Sequence, residues 1–81
     1  MIQKVKLHNV KKNQRVILTK ELPTSFGNRH TIKKDARGDI KSEGFIAGML
    51  KVEFYTHMHG KENVQFNELS AAEYLVTDVF V

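Results

Sequence analysis

The Lys and Arg residues of this chain are concentrated in its first half, where they are suited to bind phosphate groups. Residues 1–37 carry ten Lys or Arg and two acidic residues, whereas residues 38–81 carry three and seven. A folded domain with this division has a dipolar surface, which attracts polyanions to its basic side. We expect the basic residues to share one rim and to bind nucleic-acid phosphates. The candidate nucleic-acid-binding residues are Lys11, Lys12, Arg15, Arg29, Lys33, Lys34 and Arg37.

The same division of charge allows two other interpretations. In one, the acidic second half neutralises the basic residues through intramolecular ion pairs, and the charges only keep the surface solvated. In the other, the chain is an accessory subunit or a small inhibitor that docks its basic rim on an acidic patch of a larger enzyme. The candidate protein-binding residues are Phe26, Tyr55 and His57, with the loop over residues 20–32. Phe26 and Tyr55 are also the two rings available for stacking on nucleic-acid bases.

His57-Met58-His59 is a candidate metal-binding motif. Residues i and i+2 of a strand share a face, so both imidazoles could bind Zn²⁺ or Ni²⁺. The remaining possible ligands, His8, His30 and Glu62, come from distant segments, and the chain has no Cys. We therefore interpret the motif as an exposed strand end that runs into a turn, and we predict no metal and no cofactor.

The sequence carries no catalytic constellation. Ser25, Ser42 and Ser70 lack the G-x-S-x-G elbow of a serine nucleophile, and no P-loop or dinucleotide glycine pattern is present. No pair of carboxylates has a spacing that indicates acid–base chemistry. We predict a binding module that is not an enzyme.

Alternation of apolar and polar residues predicts strands that would position these side chains. The clearest strand is residues 49–58, in which apolar Leu50, Val52 and Phe54 alternate with polar neighbours. Further strands are predicted at residues 2–8, 16–18, 64–66 and 75–81, between turns rich in Gly and Asn. The sequence Ser70-Ala71-Ala72-Glu73 matches a capping box, which predicts one short helical turn near residues 70–75.

The length and composition favour a single domain over residues 1–81. The strand at residues 75–81 needs a partner. We favour pairing with residues 2–8, and pairing with a second subunit, which would make a homodimer, is the alternative. The absence of Cys fits a reducing compartment, and neither a secretory h-region nor an apolar run of about 20 residues is present. We expect a cytoplasmic protein with no membrane association.

Four segments, in order, resemble the strands of SH3-like barrels. They are Lys12-Asn13-Gln14-Arg15-Val16-Ile17-Leu18, Lys34-Asp35-Ala36-Arg37-Gly38-Asp39-Ile40, Leu50-Lys51-Val52-Glu53-Phe54 and Val64-Gln65-Phe66-Asn67-Glu68-Leu69. Asn13 and Asp35 stand where this class usually has Gly. The resemblance covers residues 9–75. The long loop is most similar to electron-transport accessory barrels, and residues 34–40 are similar to KOW-type ribosomal and transcription-factor barrels.

The resemblance implies an all-β fold, a small antiparallel SH3-like barrel of five to six short strands with one helical turn. Val64-Gln65-Phe66 is also similar to a strand of the type II dihydrofolate reductases, which form a tetrameric pore. Gln65 would line such a pore, but Asn67 stands in place of the active-site Tyr of that family, so the activity is not carried over. A pore of this kind is a third alternative.

Overall fold

The computed structural model describes the backbone of residues 2–6 and 10–80 and the side chains of residues 10–77. Within these residues the strands are β1 (Ile2–Lys6), β2 (Arg15–Leu18), β3 (Arg37–Ile40), β4 (Met49–Thr56), β5 (Gly60–Asn67) and β6 (Leu75–Phe80). A 3₁₀ turn covers Thr24–Phe26, and helix α1 covers Glu68–Tyr74. The mostly β architecture confirms the predicted fold class. Strand β4 ends two residues earlier than predicted.

The six strands form one antiparallel sheet in the order β1-β6-β2-β3-β4-β5. Strand β6 lies between β1 and β2, with Ile2 opposite Phe80 and Lys6 opposite Val76. This register confirms the predicted pairing of the two terminal segments within one chain. Leu7, His8 and Val81 of that prediction lie outside the described residues.

The sheet is open, so the prediction of a closed barrel is wrong. No ladder joins β1 to β5 among the described strands. Strand β5 runs directly into α1, after which the chain enters β6 between β1 and β2, far from β5 in the sheet. Helix α1 and the 3₁₀ turn contact β5, so they enclose the core at the place where a further strand pair would close a barrel.

The period-two pattern of the sequence places one face of β3, β4 and β5 in the core, whereas Val16, Ile17 and Leu18 of β2 are all buried. The buried side chains come from β2 to β6, α1 and the long loop between β2 and β3 and include Val16, Leu18, Ile40, Leu50, Val52, Phe54, Val64, Phe66, Ala71 and Leu75. The loop contributes Leu22 and Ile32, which are almost fully buried. Their backbones exchange two hydrogen bonds, of 2.8 and 3.0 Å, which attach the loop to itself inside the core.

Gly38 allows β3 and β4 to approach closely. A Cβ atom at this position would lie 2.7 Å from the backbone oxygen of Glu53 and 2.9 Å from Cδ1 of Phe54. The oxygen belongs to the ladder between the two strands, so it cannot move aside without disturbing their pairing.

We therefore expect Gly38→Ala to lower the free energy of unfolding by about 1–3 kcal/mol, the usual cost of overpacking a well-packed site. The measurement is urea denaturation. The control is Gln65→Ala at an exposed position of β5, which should stay within about 0.5 kcal/mol of the wild type. Equal stabilities for the two variants would contradict this account of Gly38.

The capping box of α1 begins earlier than the sequence predicts. Asn67 is the N-cap: its side chain accepts a hydrogen bond of 2.8 Å from the Ser70 amide, and the Ser70 hydroxyl accepts one of 3.0 Å from the Asn67 amide. Ser70 is therefore the third residue of the helix rather than its cap. The predicted box with Ser70 as the cap is wrong, because the side chain of Asn67, three residues upstream, already accepts the hydrogen bond from the Ser70 amide.

Replacing Asn67 with Ala should lower the free energy of unfolding by about 1 kcal/mol, because the Ser70 amide loses its acceptor. Asn67→Asp keeps an acceptor at the same place and should retain most of the stability. Chemical denaturation of the two variants tests the assignment, which is contradicted if both lose the same amount.

Candidate nucleic-acid interface

Two segments come together at one end of the sheet and form a cleft of about 390 Å³. One wall is residues 31–36 of the long loop, and the other is residues 55–59, the end of β4 and the turn into β5. We call it the basic cleft. The Leu22–Ile32 hydrogen bonds fix the first wall, and the β4–β5 ladder fixes the second.

Two lysines from the predicted set line this cleft. Lys33 and Lys34 are exposed, and no carboxylate of the described residues lies within ion-pair distance of either ammonium group. The turn that presents them is closed by Asp35, whose φ of 71° is in the left-handed region and whose amide donates to Leu18 O at 2.9 Å. Both charges are therefore available to a phosphate group.

Tyr55 supplies an exposed ring beside the lysines. Its hydroxyl donates a 2.6 Å hydrogen bond to Asp39 Oδ2, and Arg15 Nε lies 3.5 Å from Oδ1 of the same carboxylate. The bond from Tyr55 lowers the pKa of Asp39 below its ordinary value, and Arg15 lowers it further. The same bond raises the pKa of Tyr55 above its ordinary value, with partial burial as the next cause. The ring is thus held in position with 41% of the residue still exposed.

The histidine motif lies in the turn directly after β4, so His57 and Met58, which the predicted strand included, are outside the strand. Strand β4 ends at Thr56, and the turn that follows is held by the Thr56 hydroxyl, which donates to Gly60 O and accepts from the His59 amide. The His59 ring stacks on that of His30, with centroids 3.7 Å apart, while His57 lines the basic cleft. Among the described residues, no group of three or more His, Cys, Asp or Glu side chains is arranged to hold a metal ion.

The other predicted basic residues are distributed over the molecule. Lys11 and Lys12 precede β2, next to the end of β3, where the Asn13 amide donates to Ile40 O. Lys33 and Lys34 lie at the opposite end of the β2–β3 pair, where the Leu18 amide donates to Ala36 O. The expectation that all seven share one rim is therefore wrong.

Three more predicted basic residues have other surroundings. Arg15 is paired with Asp39. Arg37, on β3, also interacts with other groups of the protein, so neither guanidinium is counted as free. Arg29 is exposed, and its amide donates to the buried carboxylate of Glu62, which ties this part of the loop to β5. Arg29 is therefore near the turn that carries His59 but does not line the basic cleft.

Phe26 is not an exposed platform. Its ring lies 5.2 Å from that of Tyr74 in an edge-on arrangement and 5.9 Å from that of Phe66, so it packs on the core. Of the three predicted protein-binding residues, Tyr55 and His57 line the basic cleft and Phe26 does not.

The sequence analysis missed Lys61, which comes from the acidic half of the chain. Lys61 lies opposite Tyr55 in the β4–β5 ladder, with its ammonium nitrogen 5.9 Å from the centre of the Tyr55 ring. The tight turn over residues 57–59, which pairs Thr56 with Gly60, sets this register, so assuming a tight hairpin at this place in the sequence would have paired Tyr55 with Lys61.

Comparison with protein-family models, curated proteins and solved structures gives no significant match to this chain. In the part of the chain that the structure describes, none of the helices has the length and apolar character needed to cross a bilayer.

The Tyr55–Asp39 bond can be tested by titration. We expect Tyr55 to ionise above the ordinary tyrosine pKa, and Asp39→Asn to bring its pKa down, because the substitution removes the negative charge that opposes tyrosinate. The readout is tyrosinate absorbance in a Tyr74→Phe background, which leaves Tyr55 as the one tyrosine.

The same bond makes stability depend on pH. The pKa of Asp39 is lower in the folded state, so its contribution is present above the unfolded-state pKa and is lost as the pH falls through the folded-state pKa. Asp39→Asn should therefore flatten the acid side of the stability profile. An unchanged Tyr55 titration and an unchanged acid profile would show that the bond does not form in solution.

Proposed function

We propose that the protein binds nucleic acid through the basic cleft and does so without catalysing a reaction. The observation that supports this most directly is the convergence of Lys33 and Lys34, unpaired among the described residues, with an exposed tyrosine ring. Ammonium groups without carboxylate partners release the counterions of a phosphate chain, which is the main source of affinity in such interfaces.

The aromatic part of the cleft supports the same proposal. A base can stack on the Tyr55 ring, and such contacts are worth roughly 1–3 kcal/mol per base. The hydrogen bond to Asp39 orients the ring before binding, so less side-chain freedom is lost when a base stacks on it. His57 and His59 add polar ring edges to the same wall.

The finer fold type is part of this proposal. Six antiparallel strands in an open sheet, with a short helix before the last one, are compatible with a small β fold, and we propose that it is related to the SH3-like type that the sequence resembles, without the closure of the barrel. The resemblance to electron-transport accessory and KOW-type barrels and the cytoplasmic location inferred from the sequence belong to the same proposal.

A protein-binding role is the second candidate, and one observation favours it. Met58 stands at the edge of the basic cleft with 83% of its surface exposed, next to His57 and near Tyr55. Exposed methionines adapt to the shape of a partner surface. Such an accessory protein or inhibitor would retain one discrete partner after nuclease treatment, and Met58→Ala would weaken that complex while leaving nucleic-acid affinity unchanged.

The test of the leading proposal is charge reversal in the cleft. Lys33→Glu and Lys34→Glu should each lower the affinity for a short oligothymidylate about tenfold, the effect of losing roughly 1.4 kcal/mol. The slope of the logarithm of affinity against the logarithm of salt concentration should fall by about 0.7 for each lysine–phosphate ion pair that is removed. Fluorescence anisotropy over a salt series measures both quantities.

Lys20→Glu is the matched control. It makes the same charge change at an exposed residue that pairs with Glu73 and lines no part of the cleft. Its effect on affinity should be much smaller than that of either cleft variant. The proposal fails if the wild type binds no DNA or RNA at low salt, or if the control weakens binding as much as the cleft variants do.

A further inference from the structure

We infer that a bound nucleic acid is a single strand that crosses the outer face of the sheet, from the basic cleft to a second group of lysines at the other end. This inference rests on the proposed function and adds the form of the ligand and a second binding site. The second group, which we call the lysine cluster, consists of Lys12, Lys41 and Lys51.

The lysine cluster surrounds a hollow of about 420 Å³ at the end of the sheet opposite the basic cleft. The turn before β2 brings Lys12 there. The Lys41 amide donates to Lys51 O, which sets Lys41, directly after β3, beside Lys51 on β4. Lys12 and Lys51 have no carboxylate of the described residues within ion-pair distance, and Glu43 is the one acidic side chain in the lining.

The two sites lie on one face of the sheet. Lys51 and Tyr55 are both exposed on β4, and they alternate with the buried Leu50, Val52 and Phe54. Tyr55 lies four positions after Lys51 along an extended strand, which corresponds to a distance of roughly 13 Å. A nucleic-acid strand that contacts Lys51 and Tyr55 therefore passes along β4 without leaving this face.

The strip between the two sites has its negative charge largely covered. Asp39 and Glu53 lie there, with side chains 16% and 18% exposed. Arg15 and the Tyr55 hydroxyl cover Asp39, and Lys41 Nζ lies 3.8 Å from Glu53. Phosphates are attracted to the two ends, and the strip offers them no free cation.

This distribution of charge favours a single strand over a duplex. A duplex carries one negative charge per 1.7 Å of axis, so roughly eight charges would lie over a stretch of 13 Å, several of them above Asp39 and Glu53. A single strand is flexible enough to place its phosphates at the two ends and its sugars and bases over the strip. It also has an unpaired base to stack on Tyr55.

The experiment compares oligothymidylates of about 2 and about 16 nucleotides. At about 3.4 Å or more per nucleotide, the short one cannot cover the roughly 13 Å between the two sites, and the long one is at the upper end of the site sizes of single-strand-binding domains. Combining Lys12→Glu with Lys51→Glu should lower the affinity for the long oligonucleotide at least tenfold and its salt slope by about 1.4, because two lysine–phosphate ion pairs are removed. The same double variant should leave the affinity for the short one, which the basic cleft holds, nearly unchanged.

Two further variants serve as controls. Glu43→Gln removes the one carboxylate in the lining of the lysine cluster, so it should strengthen binding of the long oligonucleotide alone. Lys20→Glu should affect both lengths slightly and equally.

The outcomes separate this inference from the proposed function. If the wild type binds neither length at low salt, the proposed function itself is wrong. If it binds the long oligonucleotide and the Lys12→Glu, Lys51→Glu variant binds it equally well, the second site is wrong and the proposed function stands. If a duplex of equal length binds as tightly as the single strand, the inference of a single-stranded ligand is overturned.

Discussion

The two backbone hydrogen bonds between Leu22 and Ile32 hold in place the part of the long loop that forms one wall of the basic cleft. They join the ends of a loop segment inside the core, where both side chains are almost fully buried. An unsatisfied amide or carbonyl at that depth is costly, so the loop is held in one conformation. The chain emerges from this point directly into Lys33 and Lys34, which therefore face the hairpin that carries Tyr55. Together with the hydrogen bond from the Asp35 amide to Leu18 O, this attachment fixes the loop wall of the basic cleft relative to the sheet.

Acidic residues from the second half of the chain form ion pairs with some of the basic residues and leave others unpaired within the described part of the chain. Asp39 pairs with Arg15, Glu73 pairs with Lys20 at 2.6 Å, and Glu53 lies near Lys41. The cationic partners in these pairs are 39–59% exposed, so the pairs contribute little to stability. The effect of the Asp39 and Glu53 pairs is on the distribution of charge, because they neutralise the middle of the outer face and leave Lys12, Lys51, Lys33 and Lys34 toward its two ends. A net charge calculated along the sequence does not show this pattern.

Much of the fold could be predicted from the sequence, because strands and turns depend on residue types and spacing over a few neighbouring positions. Alternation of side chains locates β4 and β5 to within a few residues, and composition locates β6, whose predicted pairing with the first strand is confirmed. Asn13 and Asp35, which stand where SH3-like barrels usually have Gly, both have positive φ, at 69° and 71°. These two residue types tolerate the left-handed region, so the turns are readable from sequence. Closure of the sheet and the shared rim were mispredicted, because both depend on where distant segments meet.

The sequence by itself determined the strands, the tight turns, the short helix and the excess of positive charge, since each follows from residue type and spacing over a few positions. The tertiary structure decided which charges remain available. The β4–β5 register brought Lys61 to Tyr55, packing against Phe66 and Tyr74 left Phe26 only partly exposed, and the length of the β2–β3 pair separated Lys12 from Lys33. Ion pairing, ring packing and cleft formation depend on distances between residues far apart in the chain, and those distances are set by how the sheet and its long loop pack around one core.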